Sequence, residues 1–290
     1  MYESRFGLRA RPFRPVPDPD RYYPATGHEE ALGRLRQALI DEEGLCLLSG
    51  EPGTGKTLLC HCLLRQRDEA SRSAFLTNGH LPDRLALLQA ILFELSLPHA
   101  GLSEQEARLA LTEDLLAHGS QGSATLLLVD EAHHLSPDVL EELRLLANLE
   151  GGQGRALQIV LVAQPSILQT LRLPGMGSLR QRLSVRATLE PLGAAEAADY
   201  MLHQLRSVGG SAHLISGEAL EILATATAGV PRLLNQAAHR ALCLACSAGA
   251  EAVDAEAALE ALAWLGLDSP PADSDSLSER TELKQLAKSA

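Results

Sequence analysis

Eight consecutive residues, Gly50-Glu51-Pro52-Gly53-Thr54-Gly55-Lys56-Thr57, have the types and spacing that bind phosphate. They satisfy the pattern G-x-x-x-x-G-K-[ST] in full. The apolar run Leu45 to Leu48 before them predicts a short buried strand, and Lys56 to Arg65 predicts a helix. A strand feeding a glycine loop and then a helix aims several backbone N–H groups and a helix N-terminus at one anion. In that arrangement Lys56 reaches the β- and γ-phosphates of a nucleotide, Thr57 offers its hydroxyl to Mg²⁺, and Leu58 continues the first helical turn.

A phosphate loop only binds; hydrolysis needs a second contact to the ion and a group that orients water. Leu126-Leu127-Leu128-Val129-Asp130-Glu131 offers both at the end of a buried strand, where open α/β sheets place their ligands. Asp130 is expected to hold Mg²⁺ through its water shell, and Glu131 to polarise the attacking water. The next apolar strand ends at Gln164, which is placed either to touch the γ-phosphate or only to end a strand before Pro165. Arg180 and Arg182, within Leu179-Arg180-Gln181-Arg182-Leu183, are either a basic helix end or a cation aimed at a neighbouring subunit's nucleotide, with Arg182 ahead of Arg180. Arg232, after Gly229-Val230-Pro231, falls in a first helical turn. A cation is disfavoured there unless an anion such as a γ-phosphate compensates it. Asp130-Glu131-Ala132-His133 also spells the label of one helicase class, but that reading needs a second motor domain.

The elements that must position these residues are legible in outline. Candidate strands at Ser73 to Thr77, Thr125 to Val129, Leu157 to Ala163 and Ser184 to Leu189 alternate with candidate helices at Gly27 to Ile40, Leu85 to Leu97, Glu104 to His118 and Asp138 to Leu149. Such alternation predicts an α/β fold with a mainly parallel sheet covered by helices, and the phosphate loop after its first strand makes it a P-loop NTPase. After Pro191 the pattern becomes helical only: Ala194 to Ser207, Glu218 to Thr227, Arg232 to Cys246 and Ala255 to Leu265. The expected organisation is an extended basic arm over 1–26, a nucleotide-binding domain over 27–190, a small all-helical lid over 191–266 and an acidic, flexible tail over 267–290. Within the tail only a weak Leu277 to Leu286 pattern appears.

Composition narrows the function classes. The chain has 290 residues, 46% hydrophobic but only 3% aromatic, so the core must be built from Leu, Ala, Val and Ile. The net charge of −12 argues against a generally basic nucleic-acid binder. The most basic part is the opening segment, with Arg5, Arg9, Arg11, Arg14 and Arg21. Five cysteines lack paired metal-binding spacing and read as small core side chains in a reducing compartment. No run reaches the roughly 18 apolar residues of a membrane span and no opening stretch resembles a signal peptide, so a cytoplasmic protein is expected.

With these residues on the page, the chain resembles the AAA+ ATPases, and more narrowly the ExeA/GspA type of bacterial secretion systems. The opening pattern Tyr2, Phe6-Gly7-Leu8, Pro12-Phe13, Pro17-Asp18-Pro19, Tyr23, His28 and Ala31-Leu32 carries the likeness. So do Leu161-Val162-Ala163-Gln164-Pro165, the Arg180 and Arg182 segment, and Gly229-Val230-Pro231-Arg232-Leu233-Leu234-Asn235-Gln236. The resemblance implies ATP and Mg²⁺ as cofactors and a nucleotide-dependent homo-oligomer, ring or filament. It implies that Gln164 is the first sensor, Arg182 the arginine finger and Arg232 the second sensor. It also places Tyr23 (or Tyr22) and His28 where such folds build the adenine pocket, and no guanine-reading N-K-x-D motif is present. Secretion-type members usually continue into a membrane segment, so an envelope role is expected here to run through a protein partner. Gly175-Met176-Gly177 is a flexible approach to the two arginines that departs from the pattern. Three functions remain open: an ATPase that assembles or remodels a partner in secretion or envelope export, a DNA-dependent ATPase of the TniB/MuB transposition type, and a nucleotide-gated scaffold with slow turnover.

Overall fold

The computed structural model describes residues 2–67, 71–120, 122–152 and 154–267. In chain order its elements are α1 (Tyr2–Arg5), α2 (Thr26–Ile40), β1 (Leu45–Gly50), α3 (Lys56–Arg65), β2 (Ser73–Leu76), α4 (Arg84–Glu94), α5 (Glu104–Gly119), β3 (Thr125–Val129), α6 (Pro137–Leu146), β4 (Glu150–Gly151) and β5 (Gly154–Arg155). They continue through β6 (Leu157–Ala163), α7 (Ile167–Thr170), α8 (Gly177–Arg182), β7 (Val185–Leu189), α9 (Ala194–Ser207), α10 (Gly217–Ala226), α11 (Pro231–Ser247) and α12 (Ala255–Trp264). The chain divides into two compact units, Thr26–Glu190 and a second that joins Met1–Ala25 to Pro191–Ala290.

The first unit is the expected α/β body. Its five-stranded sheet is parallel throughout, in the order β2-β3-β6-β1-β7. Every residue of β1, β3 and β6 is buried, which is why these strands read as mostly apolar rather than alternating, with Gln158 the polar exception inside β6. The helices start where local chemistry tells them to. Asp83, Ser103 and Ser136 each accept the N–H three residues on, capping α4, α5 and α6. Ser103 and Glu106 close a reciprocal capping box, and Pro137 sits at the first position of α6. A buried carboxylate joins two helices: Glu142 of α6, its side chain fully covered, receives Nε and Nη2 of Arg108 from α5, both at 2.8 Å. The short antiparallel hairpin β4–β5 has no counterpart in the sequence reading; two two-residue strands carry no periodicity to detect.

The second unit is the helical bundle, with Ser216 and Asp254 capping α10 and α12. Its core is built largely from Ala and Leu, including Ala237, Ala238, Ala241 and Leu242 of α11. Here the structure corrects the expected extended arm. Tyr2, Leu8 and Phe13 of the opening segment are buried in this core, and Tyr2–Arg5 is a short helix. Three apolar residues at irregular spacing give no local signal, yet together they cover apolar surface of the bundle. Most of the arm's arginines are engaged internally. Arg5 donates to the carbonyls of Gly249 and Ala250 just past the end of α11, Arg11 to the Phe13 carbonyl (2.6 Å), Arg21 to the Arg11 carbonyl (2.8 Å), and Arg14 to Asp18 (2.8 Å). The tail from residue 268, including the Leu277 to Leu286 pattern, lies outside the described residues.

Gly229 explains the glycine of the Gly-Val-Pro-Arg motif. Its φ is +68°, and a Cβ there would stand 1.8 Å from the Leu192 carbonyl oxygen. The Gly229 carbonyl in turn accepts the Leu192 N–H at 3.0 Å. Replacement with alanine is therefore expected to cost at least about 2 kcal/mol, from left-handed strain and displaced backbone together. Urea unfolding followed by helicity measures it; a Gly229→Ala variant as stable as the parent would contradict this packing.

Candidate functional site

The loop that follows β1 is shaped by backbone rather than by side chains. Gly53 and Gly55 hold φ values of +84° and +101°, a region closed to most L-residues. Gly50 must be bare for another reason: a Cβ would come within 2.6 Å of the Leu189 carbonyl of β7. The turn delivers the chain into α3 at Lys56, so the loop and the helix N-terminus share one concavity. Thr54, fully buried, ties the turn by donating its hydroxyl to the Glu51 carbonyl at 2.9 Å. His28 of α2 braces it from behind, with Nε2 at 2.8 Å from the Thr54 carbonyl. Lys56 is 93% covered, and its ammonium donates to the carbonyls of Gly50 (2.8 Å) and Glu51 (3.0 Å). These dipoles hold a buried cation at the place where phosphate oxygens would replace them.

Two strands away, β3 ends in Asp130. Its N–H is donated to Leu76 of β2 at 2.8 Å, and its Oδ1 accepts the Glu131 N–H at 2.8 Å. Its Oδ2 accepts the Thr57 hydroxyl at 2.6 Å, which joins the loop to the strand end. These are two hard oxygen donors. Neighbouring ligands in an octahedral Mg²⁺ shell stand roughly 2.9 Å apart, from bond lengths near 2.0–2.1 Å, so the pair fits that ion without rearrangement of backbone.

Glu131 sits in the left-handed region, φ +53°, and its side chain is 42% exposed at the mouth of the site. The turn it begins is tightly packed: a Cβ on Gly79, in the loop after β2, would stand 2.1 Å from the Glu131 carbonyl oxygen. His133 lies next to it, Nδ1 at 3.4 Å from Glu131 Oε2. The same Nδ1 accepts the N–H of Gln164 at 3.3 Å, a contact that the neutral ring with its proton on Nε2 can make. Burial, reinforced by the adjacent His134, pushes the His133 pKa down, in keeping with that neutral form. Gln164 thus leaves β6 anchored to the turn that carries Glu131, and β6 lies between the strands that end in the loop and in Asp130.

The sheet therefore brings together Lys56, Thr57, Asp130, Glu131, Gln164 and His28. The remaining candidates are carried by other elements. Arg180 and Arg182 lie exposed on α8, and neither side chain has an ion pair with a described residue. Arg232 is exposed in the first turn of α11, and Tyr23 packs on Tyr200 (5.9 Å between ring centres) and His203 (5.5 Å); both belong to the helical unit. Sequence reasoning passed over His133, seen only as the last letter of a motif label, and over His80 and His134, whose rings stack at 4.3 Å. The adjacency of two histidines to the Asp-Glu pair was the available signal. Among the described residues, no helix is long and apolar enough to cross a membrane.

Comparison with known proteins agrees with this geometry. The AAA domain family matches residues 39–171. General secretion pathway protein A of Aeromonas hydrophila is 39% identical over 258 residues, covering 87% of this chain and 46% of that protein. ATP-dependent target DNA activator B of Escherichia phage Mu is 29% identical over 140 residues, covering 45% of this chain and 39% of that protein. The chain thus spans less than half the length of either relative. Among solved structures, Cdc6p of Pyrobaculum aerophilum superposes with a TM-score of 0.68 at 20% identity, over 84% of this chain and 70% of that one, a likeness of fold alone. With a phosphate loop, a paired Asp130 and Glu131 and a parallel sheet in this order, the chain matches the AAA domain family over residues 39–171, is similar in fold to Cdc6p, and resembles general secretion pathway protein A over most of its own length.

Proposed function

We propose that this protein binds ATP with Mg²⁺, hydrolyses it, and uses the cycle to assemble or remodel a partner protein in bacterial secretion or envelope export. The observation that carries the reading is the meeting of Lys56, Thr57, Asp130, Glu131 and Gln164 at one end of three adjacent strands. In the proposed cycle the loop N–H groups and the start of α3 take the phosphates. Lys56 exchanges its loop carbonyls for the β- and γ-phosphate oxygens. Thr57 and Asp130 hold the ion, which supplies charge neutralisation on the phosphates. Glu131 accepts a hydrogen bond from the attacking water and polarises it toward the γ-phosphate. Gln164, fixed by its backbone to His133, senses the γ-phosphate or the water. Electrostatic stabilisation by groups already in place accounts for most of the expected acceleration.

Arg182, ahead of Arg180, is assigned to the neighbouring subunit's nucleotide, because an exposed arginine without an ionic partner among the described residues is available to a second copy. Arg232 is assigned as the second sensor and Tyr23 with His28 to the base side of the site, both from the family resemblance. His28 has a further role visible in its contact with Thr54: it braces the loop. The assembly is then a ring or filament of this chain, in the cytoplasm and tied to the envelope through a partner. A DNA-dependent ATPase is the second reading, supported by the alignment with the phage Mu activator. Against it stand the net charge of −12 and an opening segment whose arginines mostly serve internal contacts.

Three outcomes test this. Lys56→Ala is expected to weaken binding of a fluorescent ATP analogue at least about tenfold, the loss of roughly 1.4 kcal/mol or more. Glu131→Gln is expected to keep that affinity while losing turnover by about 100-fold or more, the scale of a positioned proton acceptor. Turnover equal to the parent would remove Glu131 from the role. The specific ATPase rate is expected to rise with protein concentration and to ignore duplex DNA, and Arg182→Ala should flatten that rise. Strong stimulation by DNA would replace the secretion reading with the second one, and slow turnover with ATP-induced oligomers would favour a nucleotide-gated scaffold.

A further inference from the structure

Beside the magnesium position lies a second group of donors with different chemistry. Glu131, His133 and His134 each offer one ligand atom, and these atoms all lie within 4.8 Å of one another. His133 and His134 follow Glu131 through a single tight turn, with ring centres 4.1 Å apart. His80 comes from the loop after β2 and stacks on His134. That loop is pinned in place, since Gly79 packs against the Glu131 carbonyl and Asn78 accepts the His80 N–H at 2.9 Å. Four side chains from two fixed turns thus converge on one rim of the site.

We infer that Glu131, His133 and His134, with His80 alongside, form a binding site for one divalent transition ion such as Zn²⁺, distinct from the oxygen-only position at Thr57 and Asp130. Imidazole donors select such ions over Mg²⁺, which takes oxygen ligands. In a tetrahedral zinc site with bonds near 2.0–2.1 Å, neighbouring ligand atoms stand roughly 3.3–3.5 Å apart. The Glu131 to His133 separation of 3.4 Å already matches. His134 and His80 are exposed, so side-chain rotation alone closes the remainder. A ligand set of one carboxylate and two imidazoles leaves a fourth position for water or for His80.

Binding there has a consequence that rests on the proposed role of Glu131 in hydrolysis. The ion withdraws the carboxylate from the water it would polarise. Coordination at His133 Nδ1 also replaces the bond to the Gln164 N–H, which loosens the end of β6. Zinc would therefore hold the protein in a nucleotide-bound, non-hydrolysing state.

The test begins without nucleotide or magnesium, on the full chain. Co²⁺ alone is titrated and its visible absorption followed, then Zn²⁺ is added in competition. The expected result is one saturable Co²⁺ with nitrogen and oxygen ligation, no thiolate charge-transfer band, and displacement by Zn²⁺. His134→Ala and His133→Ala are each expected to weaken binding about tenfold or more. Cys243→Ser should leave it unchanged, which separates this site from the His239 and Cys243 pair on α11, 3.9 Å apart. No saturable binding, or binding indifferent to His134→Ala, an exposed position where misfolding is not at issue, overturns the site. At fixed free Mg²⁺, Zn²⁺ should slow ATP turnover of the parent and not of His134→Ala; equal sensitivity in both overturns the coupling. If the parent shows no turnover at all, the proposed hydrolysis fails while the cobalt titration still judges the site.

Discussion

One hydrogen bond, from Thr57 to Asp130 at 2.6 Å, depends on the register of the sheet. The loop leaves β1 and the carboxylate leaves β3, and β6 lies between them, pairing Ser49 with Ala163 on one side and Val129 with Leu161 on the other. Parallel strands all end on the same edge, so three chain segments far apart in sequence deliver their polar ends to one place. A shift of one residue in any strand would turn a buried side chain to the other face and carry Asp130 or Gln164 away from the loop. Close packing of the fully buried β1, β3 and β6 resists that shift, because every displaced side chain would have to be refitted.

The loop itself is held by carbonyl groups and by close approach. Lys56 is a nearly buried cation with two carbonyl partners, Thr54 closes the turn and His28 braces it from α2. The bare glycines fall where backbone meets backbone: Gly50 against Leu189 and Gly79 against Glu131. A site built this way is preorganised, because dipoles that will face phosphate are already fixed before a nucleotide arrives. Its carboxylates divide the work by environment. Asp130 is covered and hydrogen-bonded on both oxygens, while Glu131 stands at the mouth, held by a strained turn beside histidines.

The helical unit shows a different economy. Small residues dominate its core, so helices approach closely, and the opening segment adds the larger Tyr2 and Phe13 that such a core lacks. The basic character of that segment is largely structural. Arg5 satisfies carbonyls past the end of α11, where a helix leaves acceptors unpaired and favours positive charge. Arginines clustered in sequence can thus serve contacts within the fold even where, as at Arg5 and Arg14, they stay exposed.

What the sequence alone determined was everything written in local chemistry. The phosphate loop has a spacing that few other structures need, and the strand Thr125–Val129 has a continuous apolar run; both are properties of neighbours in the chain. The likeness to AAA+ proteins rests on the same kind of signal. Tertiary structure decided what no window of residues contains. It folded the supposed arm into the bundle, because Tyr2, Leu8 and Phe13 gain burial only against helices some 200 residues away. It paired Glu142 with Arg108, formed the hairpin β4–β5, and set His80 from one loop against His134 from another. Contacts between distant segments depend on sheet order and turn geometry, and those are fixed only when the whole apolar surface is buried at once.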